Sequence, residues 1–475
     1  MTGRASARPG AMVIGLDGVP HWLLRRLASD GVLPTVAALL PQGTLRPLVA
    51  PVPEISSTSW ASFLTGTDPG RHGVYGFIDL RPGEYRTFFP NLRDLKSPPL
   101  WRFVDETGDP SLIINVPGTF PAPRLRGALV SGFVAPDLDR AVYPPELVEP
   151  LRAAGYQLDV EVGDVAHDPH GFLDRVEAAL NARRAAFRYL LDHHSWRLAV
   201  CVITETDRVH HFLWRDLMEP GSPLHGRILD FYRQVDTAIA ELVERAGDGG
   251  LVMVSDHGFG PANTQFYINS WLRVAGYLGG PPEAGSLDEL DETTAAFALD
   301  PGRVYVNVAG RFPRGRQFTG ESLRALLDEI TGRLLRLRIG PAGVVAEGGP
   351  GEPVIVDVLR GTELYYGPRS ADAPDLVAMP APGVQIRGAW SQPGSTARSP
   401  LTGTHTRADA MFWSRGDKGH GDVHMRDVAP TVLATMAIIP PLCMEGVDVR
   451  NIATLSEDVT INSTTGKGID NCSAS

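Results

Sequence analysis

Short apolar runs recur along the chain at 11–16, 111–115, 128–133, 198–203 and 251–255, each ending in polar or glycine residues. A continuous apolar run of this length reads as a strand buried on both faces. A further strand-like run lies at 45–52, and helical patterns occupy 171–191 and 226–245. Strands alternating with helices predict an α/β fold: a doubly wound, mostly parallel sheet with helices on both faces. Ligands of such sheets bind at the carboxyl ends of the strands. The residues to weigh first are therefore those just after Leu16, Ile203 and Ser255.

The stretch 260–400 breaks this pattern. Helical pieces at 267–278 and 319–338 alternate with joints such as Gly279-Gly280-Pro281-Pro282 and Gly348-Gly349-Pro350-Gly351. It reads as an inserted cap region within one catalytic domain spanning 11–450. Residues 451–475, rich in Ser, Thr, Asn and Gly with few large apolar groups, read as a disordered tail.

Composition changes this picture little but excludes some partners. The 475 residues carry 44 basic and 55 acidic side chains, a formal charge of −11. A chain this acidic lacks the basic face needed for a nucleic-acid duplex or an anionic membrane. A phosphorylated substrate stays open, because bound metal supplies its own positive charge. Cys201, Cys443 and Cys472 are widely spaced and form no CxxC pair, which favours a reducing compartment. The opening MTGRASARPG lacks a signal peptide's apolar stretch, and no run approaches about 18 apolar residues. The expectation is a cytoplasmic protein without a membrane span. Its oligomeric state is not legible.

Four segments place metal-type ligands near strand ends. Asp17 follows the run 11–16; taken alone it reads as a turn or capping residue before Gly18. Asp207 and His211 are four apart, so on a helix they share a face and can grip one ion, with His210 pointing elsewhere. Asp256 and His257 follow the run 251–255, where a buried carboxylate needs a partner of high charge. His405, in Gly403-Thr404-His405, says little alone. Together these are three carboxylates and three imidazoles, an oxygen and nitrogen set for two zinc-like ions. Three carboxylates against two dications leave a net charge of about +1, suited to a phosphate anion and its transition state. Hydroxyls at Ser56, Ser57, Thr58 and Ser59 open a predicted helix, where free N–H groups favour phosphate and the same residues also serve as caps.

The order of these motifs resembles the alkaline phosphatase superfamily, in its type I phosphodiesterase / nucleotide pyrophosphatase branch. The similar segments are Ile14-Gly15-Leu16-Asp17-Gly18, Ser56 through Thr65-Gly66-Thr67-Asp68-Pro69-Gly70-Arg71-His72-Gly73, Asp207 to His211, Ser255-Asp256-His257-Gly258 and Gly403-Thr404-His405. The resemblance spans roughly 11–450. It implies two zinc sites: one of Asp17, Asp256, His257 and the nucleophile oxygen, the other of Asp207, His211 and His405. Other divalent ions such as Mn2+ would suit the same donors. Counting nine residues back from Thr65 of the Thr-Gly pair, the resemblance gives Ser56 as nucleophile, with Thr58 as second choice.

Three departures stand out. Phe77 occupies the place where nucleotide pyrophosphatases carry a phosphate-binding asparagine, which marks Phe77 as a substrate-side residue. Ser57 stands where alkaline phosphatases proper have an arginine beside the nucleophile. The Pro and Arg of the sulfatase motif are missing after Ser56. The reading is a two-zinc hydrolase of phosphodiesters or pyrophosphates, acting through a phosphoryl-serine on a small phosphorylated substrate such as a nucleotide or nucleotide sugar. The alternatives are a phosphomonoesterase or phosphonate hydrolase on the same site, or an inactive relative that binds a phosphorylated ligand.

Overall fold

In the computed structural model, residues 9–281, 285–340, 345–390, 392 and 394–450 are described. The expected tail at 451–475 lies outside them. The chain divides into two units, one of residues 1–68, 91–259 and 405–475, the other of 69–90 and 260–404.

The first unit is built on nine strands: β1 (Ala11–Leu16), β2 (Gly43–Val49), β3 (Ser111–Val116), β4 (Gly127–Ser131), β5 (Val142–Tyr143), β6 (Leu198–Ile203), β7 (Gly250–Val254), β8 (Ala410–Arg415) and β9 (Val423–His424). Their order in the sheet is β9-β2-β8-β7-β1-β6-β3-β4-β5. The central strands β7, β1, β6, β3 and β4 run parallel, while β8 pairs antiparallel with both β2 and β7. Successive residues of β1 face opposite cores: Met12, Ile14 and Leu16 belong to one, Ala11 and Val13 to the other. The apolar runs are continuous for this reason, since neither face meets water.

Five helices matter for the site: α1 (Ser56–Thr65), α2 (Pro169–His193), α3 (Glu205–Met218), α4 (His225–Ala246) and α5 (Val428–Thr435). Residues of α2, α3 and α4 fill one core, and Trp60 and Phe63 of α1 fill the other together with α5. Strand β1 ends just before Asp17, β6 ends one residue before α3, and β7 ends just before Ser255, so the parallel register places these ends along one edge.

A buried polar network fixes the start of α3. Arg183 of α2 donates from Nε to Glu205 Oε1 at 2.8 Å, and both side chains are essentially inaccessible. The Arg183 guanidinium also donates to the Tyr156 hydroxyl at 2.7 Å and the Gln157 carbonyl at 3.2 Å. Tyr156 in turn donates to Asn115 Oδ1, and the Asn115 amide reaches the Val202 carbonyl at 2.9 Å. Asn115 holds φ +63° at the end of β3, a conformation asparagine tolerates better than most residues. The helix carrying Asp207 and His211 is thus clamped at its first residue.

The second unit differs from the helical insertion expected over 260–400. Helices do form at Ile268–Val274 and Gly320–Leu335, each shorter than its pattern. The rest is largely sheet, including four strands in the order Ala296–Leu299, Arg303–Val306, Leu376–Pro380 and Ile355–Arg360. Residues 69–90 join this unit: Tyr85 stacks on Phe312, and Arg303 pairs with Asp79 and donates to the Ile78 carbonyl. These contacts are long-range in sequence, and no local pattern encodes them. Among the described residues no helix is long and apolar enough to cross a membrane.

Removing one partner of a buried ion pair leaves an uncompensated charge. Arg183→Met is therefore expected to lower unfolding free energy by about 3–5 kcal/mol, read as a fall in the denaturant midpoint. A loss below about 1 kcal/mol, the range of a surface pair, would remove Arg183 as the anchor of α3.

Candidate active site

The turn after β1 is shaped by two glycines. Gly15 lies beneath the Trp60 indole, and a Cβ there would come within 2.7 Å of that ring. Gly18 holds φ +66°, and a Cβ there would sit 3.0 Å from the Phe259 ring and 3.3 Å from His257. Between them Asp17 is oriented on both sides: the Trp60 indole donates to Asp17 Oδ2 at 3.1 Å, and Thr206 donates to the Asp17 carbonyl at 2.6 Å. The Gly18 N–H donates to Asp256 Oδ1 at 3.0 Å.

Helix α1 begins at Ser56 after the extended residue Ile55, with no side-chain cap. The Thr58 N–H bonds the Ile55 carbonyl at 3.1 Å, and the N–H groups of Ser56 and Ser57 are left for another acceptor. Ser56 Oγ lies 3.1 Å from His257 Nε2 and 3.5 Å from Asp17 Oδ1. Thr58 is also buried, and its hydroxyl has no hydrogen-bond partner; only Ser56 of the two is in contact with this acidic group.

Asp207 is the common member of two groupings able to hold an ion: Asp207, His211 and His405, and Asp17, Asp207 and His257. Its Oδ1 lies 3.3 Å from His211 Nε2, 3.4 Å from His405 Nε2 and 4.0 Å from His257 Nε2. Asp256 Oδ2 lies 3.3 Å from His257 Nε2. The expected ligands Asp17, Ser56, Asp207, His211, Asp256, His257 and His405 therefore all fall in the first unit, linked by these pairwise contacts. Phe77 lies in the second unit, half-buried.

The donor set fits a metal. His405 Nδ1 donates to the Glu54 carbonyl at 3.0 Å and His257 Nδ1 to the Gly258 carbonyl at 3.0 Å. A carbonyl can only accept, so each neutral ring keeps its proton on Nδ1 and presents the Nε2 lone pair inward, the arrangement that orients metal-bound imidazoles. Asp207 Oδ1 and Asp256 Oδ2 are buried without a hydrogen-bond partner, which a buried carboxylate tolerates only beside a cation.

The electrostatics point the same way. Burial and then the neighbouring Asp256 and Asp207 push the Asp17 carboxyl well above its usual range. Burial lifts Asp256 to about 6, opposed by the Gly18 N–H and reinforced by Asp207. Burial, then His405, pushes His257 down to about 3. Asp207 goes the other way: burial would raise it, but His211 and His405 outweigh that and hold it well below the carboxylate range. Crowding with Asp207 thus favours the protonated forms of Asp17 and Asp256, and a dication competes with protons for the same oxygens.

His210 shows what the four-residue spacing left open. It is fully buried, with Nδ1 donating to the Gly18 carbonyl at 2.8 Å and Nε2 against the Tyr232 hydroxyl. It is a structural brace for the Gly18 turn rather than a solvated side chain. Trp60 was legible in principle, since it stands four residues after Ser56 and so shares its helix face.

These features define a class, an α/β hydrolase of the alkaline phosphatase type with a hydroxyl among acidic and imidazole groups at the strand ends. The chain belongs to the type I phosphodiesterase / nucleotide pyrophosphatase family, whose model matches residues 11–429. It is a phosphoester hydrolase by that membership. Among solved structures it is similar to phosphonoacetate hydrolase from Sinorhizobium meliloti 1021, at 15% identity and TM-score 0.60, covering 92% of this chain and 99% of that one. It is also similar to human ectonucleotide pyrophosphatase / phosphodiesterase 5, at 13% identity and TM-score 0.54, covering 91% and 96%. An inactive form of the murine counterpart in complex with AMP gives 13% identity and TM-score 0.53, covering 90% and 95%. At such identities these structures speak for the fold. No curated protein matches the sequence significantly.

His405→Ala and His211→Ala are expected to lower the metal retained after dialysis, measured by elemental analysis, because each removes one of few protein ligands. His210→Ala should keep the metal but lose about 1–3 kcal/mol of stability from the groups it leaves unsatisfied. Equal metal loss from His210→Ala and His211→Ala would contradict this division.

Proposed function

We propose that the protein is a cytoplasmic two-zinc hydrolase of phosphodiesters or pyrophosphates, with Ser56 as nucleophile. The observation that carries this reading is the position of Ser56 Oγ, at the uncapped start of α1 and in contact with His257 Nε2 and Asp17 Oδ1. Asp17, Asp256, His257 and Ser56 would hold one ion, and Asp207, His211 and His405 the other. Asp207 Oδ1 stands within reach of both groupings. Bound there, the ions supply positive charge that lowers the serine hydroxyl pKa and offsets charge building on the phosphoryl oxygens.

The chain's own groups do the rest. Ser56 Oγ forms a bond to phosphorus as the bond to the leaving alcohol or phosphate breaks, giving a phosphoryl-serine that water then releases. The free N–H groups at the start of α1 stabilise a non-bridging oxygen. Trp60 and Thr206 hold Asp17, and the Glu54 and Gly258 carbonyls hold the imidazoles, so the geometry is set before substrate arrives. The substrate is a small phosphorylated compound, with nucleotides and nucleotide sugars the first to test.

Charge favours diesters. Three carboxylates and two dications sum to about +1, matched to a singly charged diester, and Ser57 supplies no arginine for the extra charge of a monoester. Ser56→Ala is expected to abolish nearly all turnover of zinc-loaded protein while leaving fold and metal content largely intact, since Asp17, Asp256 and His257 remain. Wild-type rates in Ser56→Ala with their loss in Thr58→Ala would move the nucleophile to Thr58. For one nitrophenyl leaving group, kcat/KM should favour the diester over the monoester. A monoester preference of about tenfold or more, about 1.4 kcal/mol, would replace this reading with a phosphomonoesterase.

A further inference from the structure

Arg208 follows Asp207 on α3 and has no role in the chemistry above. Its guanidinium is locked on two sides. Nε donates to Asp159 Oδ1 at 2.8 Å and Nη2 to Asp159 Oδ2 at 2.7 Å, a bidentate pair. The cation also lies over the Phe133 ring, 4.5 Å from its centroid. Both interactions fix the plane of the group and leave Nη1 as the free corner. Nη1 lies 3.7 Å from Asp207 Oδ2, beyond hydrogen-bond length, and makes no hydrogen bond among the described residues. The side chain is 16% exposed.

Two physical points bear on what this corner does. A cation beside a ligand carboxylate opposes the binding of a dication there, so its position works against the metal site. It makes no hydrogen bond to Asp207, since the ion-pair contact is too long for one and Nε and Nη2 are spent on Asp159. A rigid guanidinium with donors left without a hydrogen bond, next to a carboxylate of the site, is an arrangement that recognises an anionic oxygen pair.

We propose that Arg208 selects substrates carrying a second anionic group, a phosphate or carboxylate on the arm attached to the reacting phosphoryl. This rests on the phosphodiesterase reading and narrows it. The substrate class becomes diesters or pyrophosphates with a further negative charge, and diesters with neutral arms become the poorer substrates. Asp159 and Phe133 serve as positioning residues for Arg208.

The test uses zinc-loaded protein and a matched pair of substrates with one leaving group: p-nitrophenyl propyl phosphate and p-nitrophenyl 2-carboxyethyl phosphate. The wild-type protein is expected to prefer the carboxylate arm. Arg208→Met should lower kcat/KM for that arm roughly ten- to hundredfold, the worth of a charged hydrogen bond, while changing the propyl diester less than about threefold and leaving metal content intact. Arg208→Lys should restore part of the preference, because charge remains without the fork. Equal losses on both substrates, or a loss of metal in Arg208→Met, would overturn the proposal and make Arg208 a support for Asp207. Absence of wild-type turnover on either diester would instead count against the phosphodiesterase reading itself. An anionic preference retained in Arg208→Met would assign recognition to another group.

Discussion

The rest of this structure is organised around one electrostatic constraint, the burial of Asp17, Asp207 and Asp256 within reach of one another. Carboxylates removed from water repel each other and are stable only beside positive charge. The fold answers with imidazoles whose Nδ1 atoms are tied to the Glu54 and Gly258 carbonyls, leaving lone pairs and carboxylate oxygens turned to a common space. The same crowding that would destabilise a simple core is what a cation bound among these oxygens and nitrogens would relieve.

Holding such a group together requires stiff surroundings. The parallel strands β1, β6 and β7 deliver their carboxyl ends side by side, and the polar contacts around them lie below the site. Arg183 clamps the first residue of α3, His210 braces the Gly18 turn, and Trp60 reaches from α1 to Asp17. His210 and Trp60 each join two segments that carry site residues, so positional error in one is resisted by another. Such support separates a functional constellation from a set of suitable residues that merely lie close.

The second unit illustrates a different logic. Its strands are joined by proline- and glycine-rich connections, and its polar core centres on Arg303, which pairs with Asp79 and donates to the Ile78 and Asp300 carbonyls. A segment from early in the chain, 69–90, is thereby built into a unit formed mostly by 260–404. Family membership fixes the reaction class.

The sequence by itself determined the class of fold and the identities of the chemical groups. Continuous apolar runs can only be strands shielded on both faces, and β6 was legible to the residue, 198–203. Charged and imidazole residues directly after such runs stood out because burial makes them costly. What the tertiary structure decided depends on contacts between residues far apart in sequence. The pattern could not show that β8 enters the sheet antiparallel between β2 and β7, or that much of 260–404 pairs as sheet. Nor could it show that His210 is buried against Gly18, or that Arg208 is pinned by Asp159 with one corner left beside Asp207. Local periodicity reports which face of an element is apolar; only the packing of distant elements sets which polar groups meet, and hence which are satisfied and which remain free to bind.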